Sequence, residues 1–252
     1  MTTAPLSALC SPAFCRILNA GDRGLVFEFG STVDERLNSL VVALDARLRI
    51  EALPGVVETV PTYRSLLVLF DPVVIGRCEL ISKVETISAD LRPEDDREAR
   101  RWSVPVAYGD YLGEDLDHIA ALHSLTTDEV IRHHSQAEYR VYMIGFAPGF
   151  AYLGGLPDIL HTPRRADPRQ RTPAGSISIG GVQAAISSVE APSGWHLLGR
   201  TPLRTFDLNR RDPFLLKPGD RVRFQPIKPT EFHRLKAISE SGAITAEWVA
   251  AS

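Results

Sequence analysis

Tyr142-Met143-Ile144-Gly145-Phe146-Ala147-Pro148-Gly149-Phe150-Ala151-Tyr152-Leu153-Gly154-Gly155-Leu156 is the stretch on which the reading of this chain turns. A strand-like run, Tyr139–Ile144, breaks into two Gly-Phe pairs, a separate tyrosine and a double glycine. Gly145, Gly149, Gly154 and Gly155 open backbone angles closed to other residues and let another backbone or a ligand come close. Phe146, Phe150 and Tyr152 supply flat apolar walls for such an approach. Read alone, the run is either a tight structural corner or a ligand-facing loop.

Working outward, the chain after this block is cut into short apolar runs by glycine and proline, at 176–179, 182–187, 195–198 and 221–226. Short strands at such spacing predict a barrel or sandwich. Before the block the pattern is mixed. Apolar runs at 25–29, 56–60, 65–70 and 102–108 predict strands. Val33, Leu37, Leu40, Val41, Leu44 and Leu48 recur at helical spacing, and Thr32 with Glu35 predicts a capping box that opens that helix. Leu80, Ile81, Val84, Ile87 and Leu91 mark a second helical face after Asp71-Pro72. Two helices on one face of a small antiparallel sheet are the expected packing. Short helices are predicted after Gly113-Glu114-Asp115-Leu116 and from Thr126-Thr127-Asp128-Glu129 through His134. The nearly apolar-free run 93–101 predicts a boundary, giving an N-terminal α+β domain over 1–98 and a second domain over 99–252.

The chain has 252 residues, 44% apolar and 23% charged, enough for a real core. A formal net charge of −3 argues against nucleic acid as a bulk partner. Cys10, Cys15 and Cys78 are odd in number and lack metal spacing, as expected of a reducing cytoplasm. No run is apolar for the length of a membrane span. Arg164, Arg165, Arg169 and Arg171 cluster, and a solvated loop is the expected setting for them.

Chemistry is carried by a few segments. In Pro173-Ala174-Gly175-Ser176, glycine before serine at a strand mouth offers backbone N–H groups and a hydroxyl to an oxyanion or carboxylate. No Gly-x-Ser-x-Gly elbow supports Ser176 as a covalent nucleophile. Gly194 and Trp195 offer an aromatic wall, and Arg200 a fixed cation for a carboxylate or phosphate, or a structural arginine at a barrel rim. Seven histidines give no metal constellation: His133 and His134 diverge by about 100° on a helix, and His118 and His123 are poorly spaced. No nucleotide-binding Gly-x-x-x-x-Gly-Lys-Ser/Thr motif is present.

Four ordered blocks, the opening stretch, Pro163-Arg164 with Pro168-Arg169, 173–181 and 192–202, span about sixty residues and form a specific signal. Together they resemble the family labelled as the B component of ATP-dependent 5-oxoprolinase, allophanate hydrolase subunit 1, or the sporulation-kinase inhibitor KipI. The family pattern has Pro-Gly-Gly-Trp where this chain has Pro192-Ser193-Gly194-Trp195, so a different local loop is expected at Ser193, a poor host for positive φ. The resemblance implies a cyclophilin-like β-barrel behind a small α/β sandwich domain, α+β in class. It implies an amide-cleaving enzyme that opens 5-oxoproline to glutamate with ATP and Mg, shared with a C-type 5-oxoprolinase partner and a lactam-binding A-type protein. A kinase-inhibitor role, or a lobe of a urea carboxylase or allophanate hydrolase system, is implied as an alternative. His134, Ser176 and Arg200 are then the expected catalytic residues. Gly145, Phe146, Gly149, Phe150, Tyr152, Gly175, Gly194 and Trp195 are the expected substrate-binding ones, with no metal held by this chain.

Overall fold

A computed structural model of the chain describes residues 16–92, 99–243 and 246–249. Contacts divide the chain into units of residues 1–95 and 96–252. Most of the boundary run, residues 93–98, and also Cys10 and Cys15, lie outside the described residues.

In the first unit, β1 (Arg16–Asn19), β2 (Gly24–Glu28), β3 (Val56–Pro61) and β4 (Ser65–Phe70) form an antiparallel sheet in the order β1-β2-β4-β3. Alternation along β4 turns Leu66, Val68 and Phe70 to the core. There they meet Leu25 and Phe27 of β2 and the apolar stripes of α1 (Glu35–Glu51) and α2 (Arg77–Ser88), including Leu44, Leu48, Leu80 and Val84. The expected Thr32–Glu35 capping box is replaced. Asp34 is the N-cap, with its carboxylate accepting from the Leu37 amide at 3.0 Å. An aspartate directly before the first helical residue satisfies a free amide with its own short side chain, so the helix begins later than the Thr32 reading places it.

In the second unit, β5 (Arg101–Tyr108), β6 (Tyr139–Ile144), β7 (Ala151–Gly154), β9 (Ser176–Gly180), β10 (Gln183–Ile186), β12 (His196–Arg200) and β13 (Arg221–Pro226) close into a barrel in the order β12-β9-β10-β7-β6-β13-β5. Closure is made by β5, whose Tyr108 and Ala107 pair with Gly199 and Arg200. β14 (Glu247–Val249) pairs with the first residues of β5, and β5 and β13 run parallel, an arrangement open to them because a long stretch of chain separates them. β8 (Arg169–Thr172) and β11 (Ala191–Ser193) form a separate two-stranded ribbon.

Val104, Val106, Val141, Leu153, Ile177, Ile179, Ile186 and Phe224 fill the main core. Leu116 and Ile119 from α3 (Leu116–Leu122) and Val130 from α4 (Thr127–Gln136) join it. Thr126 and Glu129 cap α4 reciprocally. A helix the sequence reading did not anticipate, α5 (Pro229–Glu240), packs Phe232 against Ala107 and Leu112.

Candidate functional site

The opening stretch folds as β6, a tight turn and β7. Its glycines serve chain-to-chain approach: a Cβ on Gly154 would meet the Tyr142 ring at 2.0 Å, and one on Gly149 would meet Phe206 at 2.7 Å. The aromatics behave differently. Alternation along β7 and β10 sends Ala151, Leu153, Ala184 and Ile186 to the main core and Tyr152 and Ala185 to the opposite face. On that face Phe150, Ala185 and Trp195 form a second apolar cluster with Ala147 and Tyr152 against it.

The rings follow one another in space. Phe146 stands edge-on to Phe150 with centroids 5.5 Å apart, Phe150 is 4.8 Å from Tyr152, and Tyr152 is 6.0 Å from Trp195. Trp195 lies over Gly180, where a Cβ would strike its ring at 2.8 Å. Above Trp195, 5.4 Å from its ring, is the guanidinium of exposed Arg164. Phe146 is 64% exposed and has φ 67°, a left-handed angle unusual for an aromatic residue. Ser193 needs no such angle: it sits in β11, and its hydroxyl accepts from the Trp195 amide at 3.1 Å.

The arginine cluster is not a solvated loop as a whole. Arg165 and Arg169 both bond Asp115, at 3.0 Å and 2.7 Å, and its second oxygen accepts from the Leu197 amide at 2.7 Å. Burial pushes the Asp115 pKa up, but these hydrogen bonds and the two positive charges outweigh it, and the net direction is down. Arg171 pairs with Glu190 on the surface. Arg164 makes no ion pair among the described residues.

A cavity of about 830 Å³ opens elsewhere on the barrel, lined by Gly175, Arg200, Arg204, Phe206, Asp207, Phe232 and Lys236 among others. Gly175 holds φ +78°, and a Cβ there would meet the Thr201 carbonyl at 2.4 Å, so only glycine fits this rim. Arg200 lies 5.7 Å over Phe232, donates to the Ala174 carbonyl at 3.1 Å, and has a buried Nε without a partner. Burial pushes its pKa down. It has no carboxylate partner among the described residues, whereas Arg204 is held by Asp207 and Lys236 by Glu240.

The expected site residues therefore separate. Gly175 and Arg200 line the cavity together, and Ser176 faces Arg200 across the β9–β12 ladder. The Ser176 hydroxyl is buried and donates to the Pro173 carbonyl at 2.7 Å, so it is occupied. Phe146, Phe150, Tyr152 and Trp195 form the aromatic face, and Gly194 lies against Pro168. His134 is in neither place. It is fully buried, stacked on Phe224 at 4.7 Å, with Nδ1 2.8 Å from the Tyr108 hydroxyl; burial lowers its pKa to about 3. At neutral pH it is an uncharged core residue. Among the described residues no group of three His, Cys, Asp or Glu is placed to hold a metal, and no helix is long and apolar enough to cross a membrane.

Sequence reasoning passed over Asp115, which organises the arginine cluster, and the stacked pair His118 and His196, 5.6 Å apart. Spacing had no means of joining them, since they come from α3 and β12.

A family described as carboxyltransferase domain, subdomain C and D, matches residues 15–216. The chain is 35% identical over 231 residues to the 5-oxoprolinase B component of Bacillus subtilis (strain 168), covering 88% of this chain and 96% of that protein. It is similar to the crystal structure of TTHA0988 at TM-score 0.74 and 37% identity, over 82% of this chain; it spans 40% of that longer one. The K. lactis urea amidolyase shares the fold at TM-score 0.75 and 20% identity, over 96% of this chain and 17% of that protein.

Proposed function

Because the chain belongs to the family of 5-oxoprolinase B components, we propose that it is one part of an ATP-dependent enzyme that opens 5-oxoproline to glutamate. In this reading it acts with a C-type partner protein and a lactam-binding A-type protein. The near-complete mutual coverage with a 5-oxoprolinase B component supports it most directly.

A five-membered lactam is a resonance-stabilised amide, and ATP would supply a phosphoryl group that turns its oxygen into a leaving group. The residues here fit an anionic group of that kind: Arg200 is an uncompensated, half-buried cation whose Nε lacks a partner. A phosphate or carboxylate would satisfy Nε and restore the solvation that burial removes. Gly175 keeps the rim open beside it, and Phe206 and Phe232 limit water. The Mg that accompanies ATP would be held by the phosphates and by the partner proteins.

The test is turnover of the assembled enzyme with Arg200→Ala. Loss of a charge-assisted contact of about 1.5–3 kcal/mol predicts a fall of roughly tenfold to a hundredfold. Unchanged turnover in a variant that still assembles removes Arg200 from the site.

A further inference from the structure

The turn between β6 and β7 holds an exposed aromatic ring at a backbone angle that its own chemistry opposes. Phe146 has φ 67°, a left-handed angle that aromatic residues rarely take and glycine takes freely. Gly145 stands directly before it, yet Phe146 carries the positive φ.

The angle persists because its surroundings fix it. The Gly145 amide donates to the Phe150 carbonyl at 3.1 Å, and the Phe150 amide donates to the Ala147 carbonyl at 3.0 Å, which closes the turn. The Thr205 hydroxyl donates to the Gly149 carbonyl at 3.1 Å, and Gly149 lies against Phe206. A turn tied to itself and to a neighbouring segment cannot rotate to relieve one residue.

Phe146 gains little from the fold in return. It is 64% exposed, and its ring contact among the described residues is the edge-on one with Phe150. Pro148 beside it is also exposed. At the other end of the ring series, exposed Arg164 covers Trp195 at 5.4 Å and has no ion pair among the described residues. Half-buried Tyr152 joins the two ends through buried Phe150 and Trp195.

This surface therefore runs from a projecting apolar anchor to an uncompensated cation. Aromatic rings and arginines around a dry centre are the side chains that carry binding energy at protein interfaces. Phe146 lines no part of the 830 Å³ cavity, and its outward ring suits a protein surface better than a small molecule. A complementary surface has an apolar socket for Phe146 and a carboxylate for Arg164. In TTHA0988 the part that this chain matches is 40% of a longer chain, so further protein accompanies it there. We propose, on the reading that a C-type partner protein exists, that this partner docks here, with Phe146 in its apolar socket and Arg164 on one of its carboxylates. The strained turn then holds the anchor in its bound position before the encounter.

The test is calorimetric titration of the full chain with the C-type partner protein, without ATP or 5-oxoproline, beside urea unfolding of the free chain. Phe146→Gly should weaken binding by about thirtyfold or more, as loss of an interface anchor does. The same variant should keep or raise the urea midpoint, because glycine relieves the left-handed angle. Arg164→Gln should weaken binding about tenfold, and added salt should weaken the wild-type complex more than that of the variant. Full affinity in either variant, or a urea midpoint that falls in Phe146→Gly, overturns the assignment. So does a wild-type chain that does not bind the C-type partner, or that instead self-associates through Phe146. A wild-type complex that needs Phe146 but does not turn over 5-oxoproline upholds the docking surface and removes the proposed activity. Turnover by a complex that Phe146→Gly forms at full affinity does the reverse.

Discussion

Asp115→Asn is the sharpest probe of how this barrel holds its functional faces. The carboxylate accepts four hydrogen bonds: from Arg165 and Arg169 on Oδ1 at 3.0 and 2.7 Å, and from Arg169 and the Leu197 amide on Oδ2 at 2.9 and 2.7 Å. Asparagine keeps the shape, but one oxygen becomes an amide nitrogen that cannot accept. Two of those bonds are lost, along with the charge that balances two guanidinium groups. Charge-assisted bonds contribute about 1.5–3 kcal/mol each, and breaking a buried pair costs about 3–5 kcal/mol. The arginine side chains retain 29% and 19% exposure, so water recovers part of this, and a loss of about 3 kcal/mol is expected. Urea unfolding followed by tryptophan fluorescence reads it cleanly, because Trp102, Trp195 and Trp248 all lie in residues 96–252. Adding Arg169→Met to Asp115→Asn should cost less than the two single changes together. A loss below about 1 kcal/mol, or simple additivity, refutes the claim that Asp115 is the organising charge.

Three further outcomes follow from the same geometry. His134 has a folded pKa of about 3 against an ordinary value of 6.5, so the unfolded chain takes up the proton first; stability is full above pH 6.5 and falls as pH drops toward 3. That loss is on the order of 5 kcal/mol, and His134→Leu should flatten the profile in this window. Asp115, whose pKa is lowered, acts later: its contribution is present above the ordinary carboxylate value of 3.8 and disappears only as pH falls through its lower folded value, so Asp115→Asn should alter the most acidic part of the profile. Gly175→Ala forces a Cβ into the Thr201 carbonyl at a left-handed φ and should destabilise by about 2 kcal/mol, measured by urea midpoint; no change would contradict the close approach at the cavity rim.

The architecture was legible where short apolar runs are cleanly bounded. Ser65–Phe70 reads as a strand because it is a short continuous run of Leu, Val and Phe, and Arg221–Pro226 because Val222 and Phe224 alternate with polar residues. β7 was hidden inside the glycine-rich stretch, whose glycines proved to serve packing against Tyr142 and Phe206 and so favour the structural-corner reading. β8 was hidden by its polar run of Arg169-Gln170-Arg171-Thr172. α5 went unread, although Pro229 at its first position is a start signal, because its mixed sequence shows no apolar stripe and buries little beyond Phe232.

The site was legible in pieces. Gly175 and Arg200, read separately as an open turn and a fixed cation, line one cavity. His134 stood near the block in sequence, yet a helix facing the core gave it a structural setting. Asp115 and His196 could not be joined by any local rule, since Leu197 and Asp115 meet only when the barrel closes.

The most direct measurement is ATP hydrolysis by this chain alone, with a C-type partner protein, and with the lactam-binding A-type protein added, each with and without 5-oxoproline. The account predicts 5-oxoproline-stimulated hydrolysis, with glutamate formed, only in the complete assembly. A properly assembled complex in which 5-oxoproline neither stimulates hydrolysis nor yields glutamate would contradict it.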